Sequence, residues 1–461
     1  MSTQPLPQGA PRAPEQVPHG GQHSASGQHR VSEQHTAHGA RSVAEHREAV
    51  RELLATWFEA HPPARETVGL ASAAGRVLAE DMYAPGNLPP FTNSQMDGYA
   101  VRSADLVPDA VPGPYSGPGT TAPAAGLVRL ARAASIPAGT APAALQPGTA
   151  APVMTGAMLP AGADAVVPIE ACRPDRFLPP ETAGTVDLPA AVPAGQFVRT
   201  AGSDIAAGSL ALAAGTVLGP LQLGLLAGLG LAEVPVRARP RVLLLTTGDE
   251  VREPGQQLDP GQIHDANTTL LRTSLEQAGA QVLRSRILAD SPEEFSALLR
   301  ADLVADAPDL VLSSGGISKG AYEVVRQALA SADVRFLSVA MQPGGPQGIG
   351  TVDGVPFLGF PGNPVSSLVS FEMFLRPALG TVTGAPRPRP EIRARLTEAL
   401  DSPAGKHQVR RGRYAGGTVE PVGGPGSHLV HALASSNALV SIPAGIEHVP
   451  AGTEVTVLLL D

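Results

Sequence analysis

Between residues 217 and 380 the hydrophobic pattern switches repeatedly between two periods, and this alternation narrows the possible folds more than any other feature. Arg241 to Thr246 is a continuous apolar run of strand length, and Asn267 to Ala280 then carries Leu270, Leu271 and Leu275 at helical spacing. The same reading predicts strands over 281–288, 309–313, 334–341 and 355–360, with helices over 292–305, 322–331 and 364–379. Strands alternating with helices imply parallel βαβ units and a doubly wound sheet. Such sheets bind ligands in the crevice at the carboxyl ends of their strands.

Three loops follow predicted strands at that crevice. They are Thr246-Thr-Gly248-Asp249-Glu250, Ser313-Ser314-Gly315-Gly316-Ile317-Ser318 and Pro361-Gly362-Asn363-Pro364-Val-Ser366-Ser367. Each sets glycine and hydroxyl residues at a strand-to-helix turn, where backbone N–H groups favour an anion such as phosphate. Pro364 suits a first helical turn and Asn363 its cap. Any one loop is also what an ordinary βα turn looks like; three on one rim point to a site. No GxxxxGK[ST] occurs, which excludes a Walker-type nucleotide site. Asp249, Glu250, Asp290 and Glu323 sit on the same rim. Carboxylates beside a phosphate loop suggest Mg²⁺, with Asp249, Glu250 and Asp290 as metal ligands; helix capping is the other reading of Asp249 and Asp290.

The rest of the chain reads differently. Length alone, 461 residues, suggests about three domains. Residues 1–40 are Gln, His, Ser, Gly and Pro, with too little apolar surface to offset chain entropy, and read as a disordered tail. Five histidines there are spaced irregularly, as in a solvated tail or a loose metal tract. From Val43 to Ala60 the residues Val50, Leu53, Leu54, Trp57 and Phe58 make one helical face, stopped by Pro62-Pro63. Short apolar stretches between Gly/Pro turns over 85–190 read as a β domain of barrel type, and alternating segments over 386–461 as a small C-terminal β domain. The domain division expected is a tail (1–40), a linker subdomain (41–84 with 191–216), a β-rich subdomain (85–190), an α/β subdomain (217–385) and a C-terminal β subdomain (386–461).

Composition removes several classes. The 43% hydrophobic content excludes a wholly disordered chain. No apolar run is long enough for a membrane span, and no secretory signal is visible. With 33 basic against 42 acidic residues, the net charge of −9 argues against a nucleic-acid binder. The single cysteine, Cys172, excludes an internal disulfide or a cysteine-based metal cluster. Only two of the basic residues are lysines, Lys319 and Lys406.

Three dense polar segments lie outside the α/β region: Asn93-Ser-Gln-Met-Asp97-Gly-Tyr-Ala, Met154-Thr155-Gly-Ala, and Gly202-Ser-Asp204-Ile. Together with Thr247-Gly-Asp-Glu250, Ser313-Ser-Gly-Gly-Ile-Ser318 and Pro361-Gly-Asn-Pro-Val-Ser366, they resemble the molybdopterin molybdenumtransferase family, MoeA and the E domain of gephyrin. The resemblance runs in order from about residue 43 to the C-terminus.

It implies a cytoplasmic, elongated homodimer of four-subdomain chains, α/β plus β in class. Molybdopterin is held in the α/β subdomain, and the cleft is completed by the β subdomain of the other protomer. The reaction implied is insertion of molybdate into the dithiolene of adenylated molybdopterin, releasing AMP and molybdenum cofactor, with Mg²⁺. The partners implied are a molybdopterin adenylyltransferase and downstream cofactor-handling proteins. Carried over by motif, the catalytic positions are Asp97, Thr155, Asp204, Glu250, Asp290 and Glu323, the last an Asp in the familiar pattern. The binding positions are Gly248, Ser314, Gly315, Gly316, Ser318, Gln342, Pro361, Gly362, Asn363, Pro364, Arg411 and Ser427. Arg411 alone also reads as a hairpin surface residue. The family's Lys-Pro-Gly-Lys-Pro loop is here Gln342-Pro343-Gly344-Gly345-Pro346, and a further lysine falls on Ser338. Arg410, Arg411 and Lys319 are the cations expected to compensate. The competing functions are an adenylyltransferase, which resembles the α/β domain alone, and a carrier or scaffold without turnover.

Overall fold

The computed structural model describes residues 40–107, 126–179, 184–317 and 323–460. The predicted tail, apart from Ala40, and Ser318 and Lys319 lie outside these residues.

The Arg241–Thr247 strand is the second strand from one edge of a six-stranded sheet. It pairs in parallel with Gln281–Leu288 on one side and with Leu310–Ser314 on the other. Leu310–Ser314 then pairs in parallel with Val355–Phe360. The chain therefore winds in opposite directions on the two sides of Arg241–Thr247, which creates a switch point between it and Leu310–Ser314. Successive residues of the buried strands face opposite layers. Leu243, Leu245, Val311 and Phe357 pack under the Pro292–Asp306 and Val324–Ala328 helices. Leu244, Leu312, Leu358 and Phe360 pack under the Val43–Ala60, Asn267–Gln277 and 364–383 helical segments. Burial on both faces explains why these strands read as unbroken apolar runs.

The last two strands depart from the parallel expectation. Val334–Met341 is not one strand: Asp333–Ser338 pairs antiparallel with Pro346–Val352, which in turn pairs antiparallel with Val355–Phe360. The Pro346–Val352 strand was missed because Gly348 and Gly350 dilute its apolar pattern. Met341–Gln342 leaves the α/β sheet and pairs instead with the C-terminal strand His407–Ala415. The helix expected over 322–331 is shorter, Val324–Ala328, with Glu323 as its N-terminal flank.

In the C-terminal region five strands, 391–396, 407–415, 418–421, 438–442 and 454–459, pair in a closed cycle. Its interior is Leu396, Val419, Val440, Ile442, Val455 and Val457. In the β-rich region Gly98–Val101, Leu127–Arg132, Thr149–Val153, Ala165–Pro168 and Thr185–Pro189 form one five-stranded sheet. Tyr99 and Val101 enter one core and Ala100 another, the two-residue alternation of a sheet covered on both faces. Residues 65–83 and 210–237 share a small core of their own around Leu78, Leu218 and Val236. Among the described residues no helix is long and apolar enough to cross a membrane.

Candidate active site

The three glycine loops meet at the switch point. A cavity of about 830 Å³ opens there, and its wall includes Gly248, Glu250, Asp290, Gly315, Gly316, Glu323, Gln342, Pro361, Gly362, Asn363, Pro364 and Ser427. Gly315 shows why the loop chemistry was legible. It has φ +95°, and a Cβ there would lie 2.9 Å from the Thr247 carbonyl oxygen. Only glycine lets the Ser313–Gly316 loop approach the end of the Arg241–Thr247 strand so closely.

Ser314 is fully buried and does not reach the cavity. It ties the loops together instead. Asn267 Nδ2 donates to Ser314 Oγ at 3.0 Å and to the Gly362 carbonyl at 2.6 Å, and Ser367 Oγ donates to the Pro361 carbonyl at 2.5 Å. Asn267 thus staples the second loop to the third from the first position of a helix. Sequence reasoning passed over it, because a polar residue opening a helix has an ordinary reading as a cap. The 343–346 loop has its own anchor: buried Gln347 donates from Nε2 to the Gly344 carbonyl and to Ser370 Oγ, both at 2.8 Å.

The acidic residues form a connected group. Asp290 N donates to Asp249 Oδ1 at 2.9 Å, and Asp249 N donates to Asp290 Oδ2 at 3.4 Å. Burial pushes the Asp290 carboxyl above its ordinary value; the nearby negative charges of Asp249, Glu250 and Glu323 push it further, against the Asp249 N–H bond. Glu250 folds back toward Gly248. Asp265, which sequence reasoning also missed, lines the same cavity; its Oδ1 accepts from Thr268 N while its buried Oδ2 has no partner. Among the described residues, no group of three or more His, Cys, Asp or Glu is placed to enclose a metal on its own. The donor set instead suits Mg²⁺ taken with substrate phosphate oxygens and one or two carboxylates, its usual mode.

Asp97, Thr155 and Asp204 lie elsewhere, in the β-rich region, and none lines this cavity. Their three segments converge. Asp97 Oδ1 accepts from Thr155 N at 2.7 Å and from Thr155 Oγ1 at 2.8 Å, which holds the Asp97 carboxyl below its ordinary range. Asn93–Ser94 pairs with Val198–Arg199, and Ala201 N donates to Thr92 Oγ1, bringing the Asp204 turn alongside. Met154 and Met158 are exposed beside them. Cys172 is buried in the core below, its thiol pushed up to about 12 by burial, so it is no thiolate at neutral pH.

Arg411 corrects an expectation. It is 3% exposed and does not line the cavity. Its guanidinium donates to the carbonyls of Val422, Gly424 and Gly426, and Arg410 donates to Gly423. Both arginines are committed to shaping the 422–427 loop, which delivers Ser427 and His428 to the cavity wall. The loop is seated by a bond from Val365 N to the Ser427 carbonyl.

Three family models cover nearly all of this. Residues 41–230 match the MoeA N-terminal region (domains I and II), 243–381 a probable molybdopterin binding domain, and 393–460 the MoeA C-terminal region (domain IV). The chain is 45% identical over 432 residues to molybdopterin molybdenumtransferase 2 of Mycobacterium tuberculosis, covering 90% of this chain and 99% of that protein. It is 34% identical to the molybdopterin molybdenumtransferase of Haemophilus influenzae, over 86% of this chain and 94% of the relative. A molybdopterin biosynthesis MoeA protein of Pyrococcus horikoshii superposes with a TM-score of 0.72 at 29% identity, over 92% of this chain and all of that one. The loops, the closed C-terminal barrel and these matches agree, and the chain belongs to the MoeA family of molybdopterin molybdenumtransferases.

Proposed function

We propose that this chain is a transferase of molybdenum cofactor biosynthesis that inserts molybdenum into molybdopterin, acting on the adenylated form and releasing AMP. The observation that carries this reading is the meeting of three glycine loops at the switch point with a fourth wall from the C-terminal barrel. Backbone N–H groups of the Gly316 and Gly362 turns suit a pyrophosphate, those of Gly248 and Gly315 being donated to the Leu288 and Phe360 carbonyls. Glu250 and Asp290 line the same cavity, and carboxylates there repel a phosphate unless a cation intervenes. Mg²⁺, held by Asp290 and Glu250 with Asp249 orienting Asp290, supplies that charge and polarises the phosphoanhydride. Ser427, His428 and Gln342 offer hydrogen bonds to molybdate on the opposite wall.

Asp97, Thr155 and Asp204 do not line this cavity in the same chain. We assign them to the cavity of a second protomer in a cytoplasmic homodimer. Substrate arrives from a molybdopterin adenylyltransferase, and product leaves to cofactor-handling proteins.

An adenylyltransferase reading is disfavoured by the barrel loop, since Lys406, Ser427 and His428 line the cavity from outside the α/β layer. The test supplies purified protein with adenylated molybdopterin, molybdate and Mg²⁺, and follows AMP and active cofactor. Both products are expected, and neither without Mg²⁺. Binding of the pterin with no AMP release would instead support a carrier or scaffold.

A further inference from the structure

The cavity wall has an unequal charge inventory. Among its described residues, the carboxylates Glu250, Asp265 and Asp290 face one lysine, Lys406, and no arginine. An oxyanion entering such a cavity meets net repulsion unless a fixed cation lies where it binds. Arg410 and Arg411, the nearest guanidiniums in sequence, are buried and bonded to backbone carbonyls of the 422–426 loop.

The backbone carrying Lys406 is held at the cavity edge. Its own N–H donates to the Pro403 carbonyl, and the next residue, His407, donates to the Ala340 carbonyl. Met341 and Gln342 pair in register with His407 and Gln408, and Gln408 Nε2 donates to Gln342 Oε1 at 3.0 Å. That bond occupies the Gln342 oxygen and leaves its NH₂ as the group able to donate to an anion. The Lys406 side chain is exposed and forms no ion pair among the described residues. It shares the wall with Gln342, Ser427 and His428, which belong to the 342–346 loop and the barrel.

Resting on the transferase reading above, we infer that Lys406 is the binding-site cation for the free tetrahedral dianion, molybdate. Its ammonium supplies the charge, and Gln342, Ser427 and His428 supply directional donors around it. A phosphate of the pterin substrate shares this chemistry, so the test separates the two.

Equilibrium dialysis of the full chain with molybdate alone is the direct measurement. Lys406→Ala is expected to weaken molybdate binding about tenfold or more, and Lys406→Arg to retain most of it. Sodium chloride is expected to weaken binding to the wild-type chain and to have little further effect on Lys406→Ala. In turnover, Lys406→Ala is expected to raise the molybdate concentration for half-maximal rate while leaving the dependence on adenylated molybdopterin unchanged. Wild-type molybdate affinity in Lys406→Ala would overturn the assignment, as would a shift confined to the pterin substrate. Because dialysis needs no turnover, an inactive wild-type chain would sink the transferase reading and leave Lys406 independently tested. The residue lies in an exposed turn, so an unchanged melting temperature in both variants is the control for folding.

Discussion

Asp249 and Asp290 hold each other at the mouth of the cavity, each backbone N–H donating to the other's carboxylate, at 2.9 Å and 3.4 Å. The arrangement places two negative charges together with Glu250 and Glu323 nearby, and the Asp290 carboxyl is raised above its ordinary value as a result of burial and this repulsion. A group whose folded pKa is raised binds protons more readily folded than unfolded, so stability falls as pH rises through that interval. Asp290→Asn is therefore expected to raise the melting temperature at pH 7. The difference should vanish below about pH 3, where the carboxyl is protonated in both states. Mg²⁺ should stabilise the wild-type chain more than this variant, and turnover should fall. Calorimetry across pH with and without Mg²⁺ checks all three.

Asn267 makes its two bonds in a buried setting. Asn267→Ala leaves the Ser314 hydroxyl and the Gly362 carbonyl without this donor. It should cost about 1–3 kcal/mol in a urea titration. If the staple positions the loops, KM for the pterin substrate should rise as well; unchanged kinetics would make Asn267 purely structural.

Arg411→Ala separates positioning from contact. Three carbonyls of the 422–426 loop lose their donor. Stability should drop by about 1–3 kcal/mol, since buried acceptors are left unpaired. Arg411→Lys should not rescue it, because an ammonium cannot reproduce the fork that spans three carbonyls. Lys406→Ala should show no such loss of stability.

His46 is 1% exposed, packed edge-on against Phe374 at 4.6 Å, with its pKa lowered to about 4 by burial and by Arg41. A depressed histidine pKa means the unfolded chain binds the extra proton first. Stability contributed above about pH 6.5 is therefore lost as pH falls toward 4, by up to about 3 kcal/mol. His46→Gln should flatten that part of the pH–stability curve, read by chemical denaturation from pH 4 to 7.

Complementation tests the shared cleft. Asp97→Ala and Glu250→Ala should each be inactive alone. If a site takes Asp97 from one protomer and Glu250 from the other, a mixed dimer keeps one intact site, and re-equilibrated mixtures should recover about a quarter of wild-type activity. No recovery would remove the dimeric assignment.

The local elements and the loops were legible in the residue pattern. Val43–Ala60, Gln281–Leu288 and Val355–Phe360 have the bounds their patterns predict, because each buries one consistent face or both. The glycine loops were legible because positions such as Gly315 tolerate no side chain. Long-range pairing was not legible. Nothing local says that Met341–Gln342 leaves one sheet for another, or that Pro346–Val352 runs antiparallel, since register depends on partners far along the chain. Nor does charge type reveal direction. Arg411 and Lys406 are both cations on or beside one hairpin strand, yet the fold spends the first on backbone carbonyls and turns the second to the cavity. Composition told only that lysine is scarce; the fold brought Lys406 to the cavity wall.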